Sequence, residues 1–220
     1  MPSAPRTGAA GRQAALDALR EAITAGDMSP GQRLVEAELA ETYGVTRASV
    51  RAALMDLGAE GLVERIPNRG ARVRVVPVEE AVAITECRMV LEGLCAAKAA
   101  ERASDREIAQ LTEVADQLRT AAGDGELMRY SELNHRLHRL IREFSGQAPA
   151  AELLDRLQAQ LVRHQFRLSL RPGRPQRSAR EHRAIVDAIA ARDPQRATEA
   201  THAHLRSVID ALRETADGQR

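Results

Sequence analysis

From Glu79 to the end of the chain, apolar residues recur only at helical spacing, and no stretch alternates as a strand would. Six periodic segments cover about 79–102, 104–122, 126–145, 148–170, 177–192 and 194–215. The breaks are Ser104-Asp105, Gly123-Asp124-Gly125, Ser145-Gly146, the stretch Arg171 to Pro175, and Asp193-Pro194. Helices joined so briefly must pack against one another, which predicts an antiparallel bundle of six or seven helices over 77–220. The palette agrees. Aromatic residues are only 2% and Trp is absent, so Leu, Ala, Ile and Val must build the interior. Ala and Leu are the strongest helix formers because they lose little side-chain freedom in a helix.

The N-terminal part has a different rhythm. Residues 1–11, rich in Ala, Pro and Gly, read as a disordered tail. Ala15, Leu16, Leu19 and Ile23 predict an amphipathic helix from Arg12 to about Asp27, which Met28-Ser29-Pro30-Gly31 breaks. A short helix follows from Glu36 to Tyr43, with Gly44 as its C′ residue. Thr46 caps a third helix whose apolar positions are Val50, Ala53, Leu54 and Leu57, and Gly61 ends it. Two strand-like stretches, Leu62 to Ile66 and Ala71 to Val76, flank the turn Pro67-Asn68-Arg69-Gly70. Three helices followed by a hairpin form a winged helix-turn-helix over 12–76, so the expected class is mainly α in two domains.

A net charge of +1 excludes a uniformly basic nucleic-acid coat but allows a local basic surface. In a helix-turn-helix the second helix of the motif enters the major groove with its N-terminal residues at the base edges. Here that end carries Thr46, Arg47, Ser49 and Arg51. Arg47 and Arg51 share the face opposite the apolar stripe, and arginine suits guanine O6 and N7 bidentately. Thr46 and Ser49 suit phosphates or base edges. The wing tip Asn68-Arg69-Gly70 is placed for the minor groove, and Arg72 and Arg74 for the backbone.

Polar residues interrupt the apolar stripes of the bundle, where burying them unpaired is costly. Arg88 stands among Ile84, Leu91 and Cys95. His138 follows Asn134 by one turn and borders Leu137 and Ile141. His182 precedes Ile185, Val186 and Ile189, and His204 lies between Ala197, Thr201 and Val208. Three inward histidines and an Asn oxygen suit a divalent ion such as Zn or Ni. An open position beside Arg88 would then take a carboxylate. His164 runs along Leu157, Leu161 and Leu168 toward the same cavity, whereas His135 and His202 fall on polar, solvated faces. No Glu or Asp is placed by spacing as a general base for the three histidines, so the chain reads as a non-enzyme.

Cys87 and Cys95 are eight residues apart in one helical pattern, which separates their Cα atoms by roughly 12 Å, too far for a disulfide. With no secretory or membrane-spanning run, the expected location is cytoplasmic.

The stretch from Gly31-Gln32-Arg33-Leu34-Val35-Glu36 through Gly44-Val45-Thr46-Arg47, Val50-Arg51, Glu60-Gly61-Leu62-Val63 and Arg69-Gly70-Ala71 resembles the DNA-binding domain of the GntR family. That resemblance implies operator contacts from Arg47, Ser49, Arg51 and Gly70. Ala52 stands where the family commonly has Glu, and Ser49 where it often has Pro. Residues 78–215 are similar to the FCD domain of the FadR subfamily. The likeness rests on Asn134 to Gly146, on Glu181-His182-Arg183-Ala184-Ile185, and on His204-Leu205. It implies a divalent metal held by Asn134, His138, His182 and His204, with Arg88 and Glu92 matching an early motif whose Arg faces the effector. Asn134 stands where Asp is usual, and Leu137 where an aromatic is. The implied protein is a homodimeric repressor that leaves double-stranded operator DNA when it binds a small carboxylate. The other readings are a regulator for which the ion itself is the signal, and a metalloenzyme fused to a DNA-binding domain.

Overall fold

The computed structural model describes residues 5–66 and 70–217. The chain divides into two compact units, Met1–Val76 and Pro77–Arg220.

The first unit runs α1 (Gly8–Ala25), β1 (Arg33–Leu34), α2 (Glu36–Thr42), α3 (Arg47–Ala59), β2 (Val63–Ile66) and β3 (Gly70–Val73). Thr46 starts α3 as expected: its side chain accepts the backbone N–H of Ser49 at 3.2 Å, satisfying one of the helix's orphan donors. Ala15 and Leu19 of α1 pack with Val50, Ala53 and Leu57 of α3, all buried. Arg12 and Arg20 then pin the outer edge of that pair to Asp56 and Glu60. The sheet is antiparallel in the order β1-β3-β2, and Leu34, Val63, Ala71 and Val73 turn their side chains to the helices.

Three sequence expectations change here. Residues 5–11 are not a loose tail, since α1 begins at Gly8 and Arg6 pairs with Val45. The second wing strand stops at Val73 rather than Val76. Strand β1 was not expected; it exists because Arg33 and Leu34 pair with Arg72 and Ala71.

The second unit is α4 (Val78–Arg102), α5 (Asp105–Asp124), α6 (Leu127–Ser145), α7 (Ala148–Gln160), α8 (Val162–Ser169), α9 (Arg174–Ala190) and α10 (Pro194–Asp217). Ser104 and Glu107 close a reciprocal capping box that fixes the start of α5. The core is built from Leu111 and Leu118 of α5, Leu137 of α6, Leu154 of α7 and Ile185 and Ile189 of α9, around the small residues Ala96, Ala99 and Ala100 of α4. Those small residues let α10 lie close along α4. At Gly93 a Cβ would stand 2.6 Å from His202 Nε2, so the half-buried His202 packs over this glycine and would have to move for any larger residue. The single helix expected over 148–170 is broken at Leu161 into α7 and α8.

Candidate functional site

In the bundle, helices α6, α9 and α10 bring His138, His182 and His204 together, with candidate ligand atoms all within 4.8 Å of one another. All three are buried. Each helix places its imidazole by its apolar stripe, as the sequence pattern required. Nε2 of His138 and Nε2 of His182 are 3.1 Å apart, and the rings of His182 and His204 have centroids 4.3 Å apart.

Two carboxylates orient this cluster from outside. Glu92 Oε2 lies 3.1 Å from His138 Nδ1, and Glu181 Oε2 lies 2.8 Å from His204 Nδ1. This network assigns the protons to the two Nδ1 atoms and leaves both Nε2 atoms as lone-pair donors. His182 Nδ1 is buried with no hydrogen-bond partner among the described residues, an unsatisfied nitrogen of the kind that a ligand would answer. These three imidazoles fit a divalent metal ion. Both carboxylates sit on the outer ring nitrogens, where they orient the rings rather than face a reacting water. Spacing did not reveal them as partners of the histidines. For Glu181 the sequence offered only its adjacency to His182, yet it serves His204.

The electrostatics suit metal binding. Burial pushes His182 well below the ordinary imidazole value, and for His204 burial outweighs the opposing hydrogen bond to Glu181. Both rings are therefore neutral, as a metal ligand must be. Burial pushes Glu92 up, but Arg88 and His138 together hold it well below the usual carboxylate range. Glu181 is likewise raised by burial, and hydrogen bonds from His204 and Ser207 bring it down to about 2.

The pH dependence follows from these directions. An unfolded imidazole takes up a proton near 6.5, whereas folded His182 and His204 do not. Metal-free protein should therefore lose stability as pH falls below about 6.5. The two carboxylates contribute fully above about 4.5, and that contribution is lost as pH falls through their lower folded values. Urea midpoints between pH 7.5 and 3.5 check both losses; a midpoint flat from pH 7.5 to 5.5 would mean that the imidazoles are not held neutral.

Beside the cluster lies a cavity of about 70 Å³, whose lining includes Arg88, Asn134, His138, Arg174 and His204. Asn134 lines this cavity one turn before His138. Arg88 is buried, with its guanidinium on Glu92 Oε1 at 2.7 Å. Glu92 is not among the lining residues, so its role is to hold Arg88 and His138. His164 also is not among them; Gln165 takes that place because the break at Leu161 turns α8. His135 is exposed, as its polar face implied, and also lines the cavity with its Nδ1 3.1 Å from Gln158 Nε2. Arg174, missed from sequence because it lies in a Pro-rich break, is buried at the start of α9, bonded to Ser207 and 3.6 Å from Glu181.

In the first unit Arg47 is exposed, and Arg51 is exposed but bonded through Nη2 to Glu36 at 2.8 Å. Arg51, Glu36 and Gly70 line one groove between α3 and the hairpin. Thr46 is half-buried. Ser49 is buried and its hydroxyl meets that of Thr46 at 2.9 Å in the cap of α3. Asn68 and Arg69 lie outside the described residues.

Comparison with known proteins agrees with this architecture. A model described as "Bacterial regulatory proteins, gntR family" matches residues 12–73, and the FCD domain model matches residues 83–207. The HTH-type transcriptional repressor NanR of Salmonella arizonae is 30% identical over 223 residues, covering 86% of this chain and 80% of that protein. The HTH-type transcriptional repressor RspR of Escherichia coli K12 is 26% identical over 187 residues, covering 85% and 82%. The solved structure of E. coli McbR/YncC superposes with a TM-score of 0.78 at 21% identity, covering 94% of this chain and 98% of that one, a likeness of fold.

Proposed function

Because this chain belongs to the bacterial GntR family of regulatory proteins and carries an FCD domain, we propose that it is a repressor released from operator DNA by a small carboxylate. The carboxylate would bind with a divalent metal ion in the helical unit. The chain is a DNA-binding transcription regulator, and its relatives are regulators rather than enzymes. Repression is favoured because NanR and RspR are both named repressors.

The observation that carries the effector reading is the buried three-imidazole cluster opening on a cavity with two arginines. His138, His182 and His204, with the Asn134 oxygen, would hold the ion. A divalent metal there would supply a Lewis-acid position for one carboxylate oxygen. Arg88 and Arg174 carry donors for the second oxygen, but their charges are already offset by Glu92 and Glu181. His182 and His204, held neutral by burial, add none, so the ion would supply charge that attracts an anion. Carboxylate binding should therefore depend on metal. A cavity of about 70 Å³ has room for about five water-sized groups, enough for a small carboxylate head.

The homodimer fits a two-fold operator. It is supported by an exposed stripe on α4, Cys87, Val90 and Leu94, spaced three and four residues apart.

Mobility shift of fragments from upstream of the chain's own gene tests the reading. Retardation at moderate salt, relieved by a member of a panel of small carboxylates only when Zn or Ni is present, is expected. Relief by metal alone would make the ion the signal. Absence of any retarded fragment would count against repression at its own promoter.

A further inference from the structure

Residues 5–11, upstream of the stretch that carries the family resemblance, are built into the DNA-binding unit. The Arg6 N–H donates to Gly44 O at 2.9 Å, and the Arg6 carbonyl accepts the Thr46 N–H at 3.2 Å, so Arg6 runs parallel to Val45 as a short bridge. Thr46 is the cap of α3, the helix that reads DNA in such folds. The backbone of Arg6 is therefore fixed at the very start of that helix.

Gly11 shows that this docking is a close fit. A Cβ at Gly11 would stand 2.5 Å from the Arg6 carbonyl oxygen and 2.7 Å from Ser49 Oγ, contacts that side chains do not make. Only glycine lets α1, the segment before it and the first turn of α3 approach so closely. Ser49 is buried under this contact.

Charge supplies the second observation. In this unit Arg12, Arg20, Arg51 and Arg72 are each bonded to a carboxylate. Arg6 is exposed, and among the described residues its guanidinium has neither a hydrogen bond nor an ion pair. The same holds for Arg47. Neither α1 nor α3 has an acidic residue in its first turn, unlike α2, α4 and α5. Two arginines with no bonded carboxylate among the described residues, Arg6 and Arg47, thus have their backbones at the entry of the recognition helix.

We propose that residues 5–11 form an arm of the DNA-binding unit and that Arg6 contacts the DNA phosphate backbone beside the bases read by the start of α3. Arg6 fixes position and adds affinity without reading sequence.

The test compares full-length protein with Arg6→Ala and Arg6→Lys, by fluorescence anisotropy over a salt series. The probes are a labelled duplex from upstream of the chain's own gene and a scrambled duplex of equal length. Arg6→Ala should bind both duplexes roughly tenfold more weakly, with their ratio unchanged, and the slope of log affinity against log salt should fall by about 0.9 per lost contact. Arg6→Lys should keep most of both, and the melting temperature should not move. Unchanged affinity and slope overturn the proposal. Weaker binding at the wild-type slope makes Arg6 a packing residue, and a loss confined to one duplex makes it a base reader; either outcome also overturns it. Wild-type protein that binds neither duplex would instead indict the DNA-binding reading itself.

Discussion

Arg47→Ala combined with Arg51→Ala is expected to lower affinity for a verified operator by on the order of a hundred- to a thousandfold. Affinity for unrelated duplex should fall far less. Each bidentate arginine–guanine contact discriminates against the wrong base by on the order of ten- to a hundredfold, and the two side chains project from the same end of α3. They do not start from equal positions. Arg47 makes no ion pair among the described residues, whereas Arg51 must leave Glu36, which holds it through Nε and Nη2. Arg47→Ala should therefore be the more damaging single change. Glu36→Gln should release Arg51 and raise affinity for all duplexes. If the double variant keeps its full sequence preference, α3 is not the reading helix.

His182→Ala should abolish stabilisation by Zn or Ni. In the wild type, an ion at about a hundred times its Kd adds about 2.7 kcal/mol, which raises the melting temperature by roughly 5–10 °C in a chain of this size. Removing a buried imidazole also weakens the metal-free protein, so the informative quantity is the difference between metal and chelator for each variant. Glu181→Gln and Glu92→Gln keep the rings but loosen their orientation, and should cost about 10- to 100-fold in metal affinity. Asn134→Asp should tighten binding, because a carboxylate is a stronger ligand than an amide oxygen. An undiminished thermal response in His182→Ala would remove the histidine cluster as the metal site.

Local signals in the sequence account for much of this. Thr46 marks the start of α3, and the apolar spacing of α6, α9 and α10 is enough to turn His138, His182 and His204 inward. What stayed hidden is tertiary in origin. Nothing at Arg33 or Leu34 marks a strand, because β1 is defined by its partner β3. Ser49 looks like a surface hydroxyl until Gly11 brings α1 down on it. The apolar spacing Leu157, Leu161, Leu168 runs through the α7–α8 break, and neither Gly nor Pro marks it, so the turn that swaps His164 for Gln165 left no trace. Glu181 and Arg174 acquire their roles only when α10 supplies His204 and Ser207.

Glu92 is held on one side by Arg88 of its own helix and on the other by His138 of α6. Helix α4 is continuous from Val78 to Arg102 and contains no proline, so it behaves as a stiff rod. Glu92 lies about 21 Å along it from the first residue after Pro77. The residue that orients His138 thus belongs to the same continuous helix that begins just after the boundary with the DNA-binding unit.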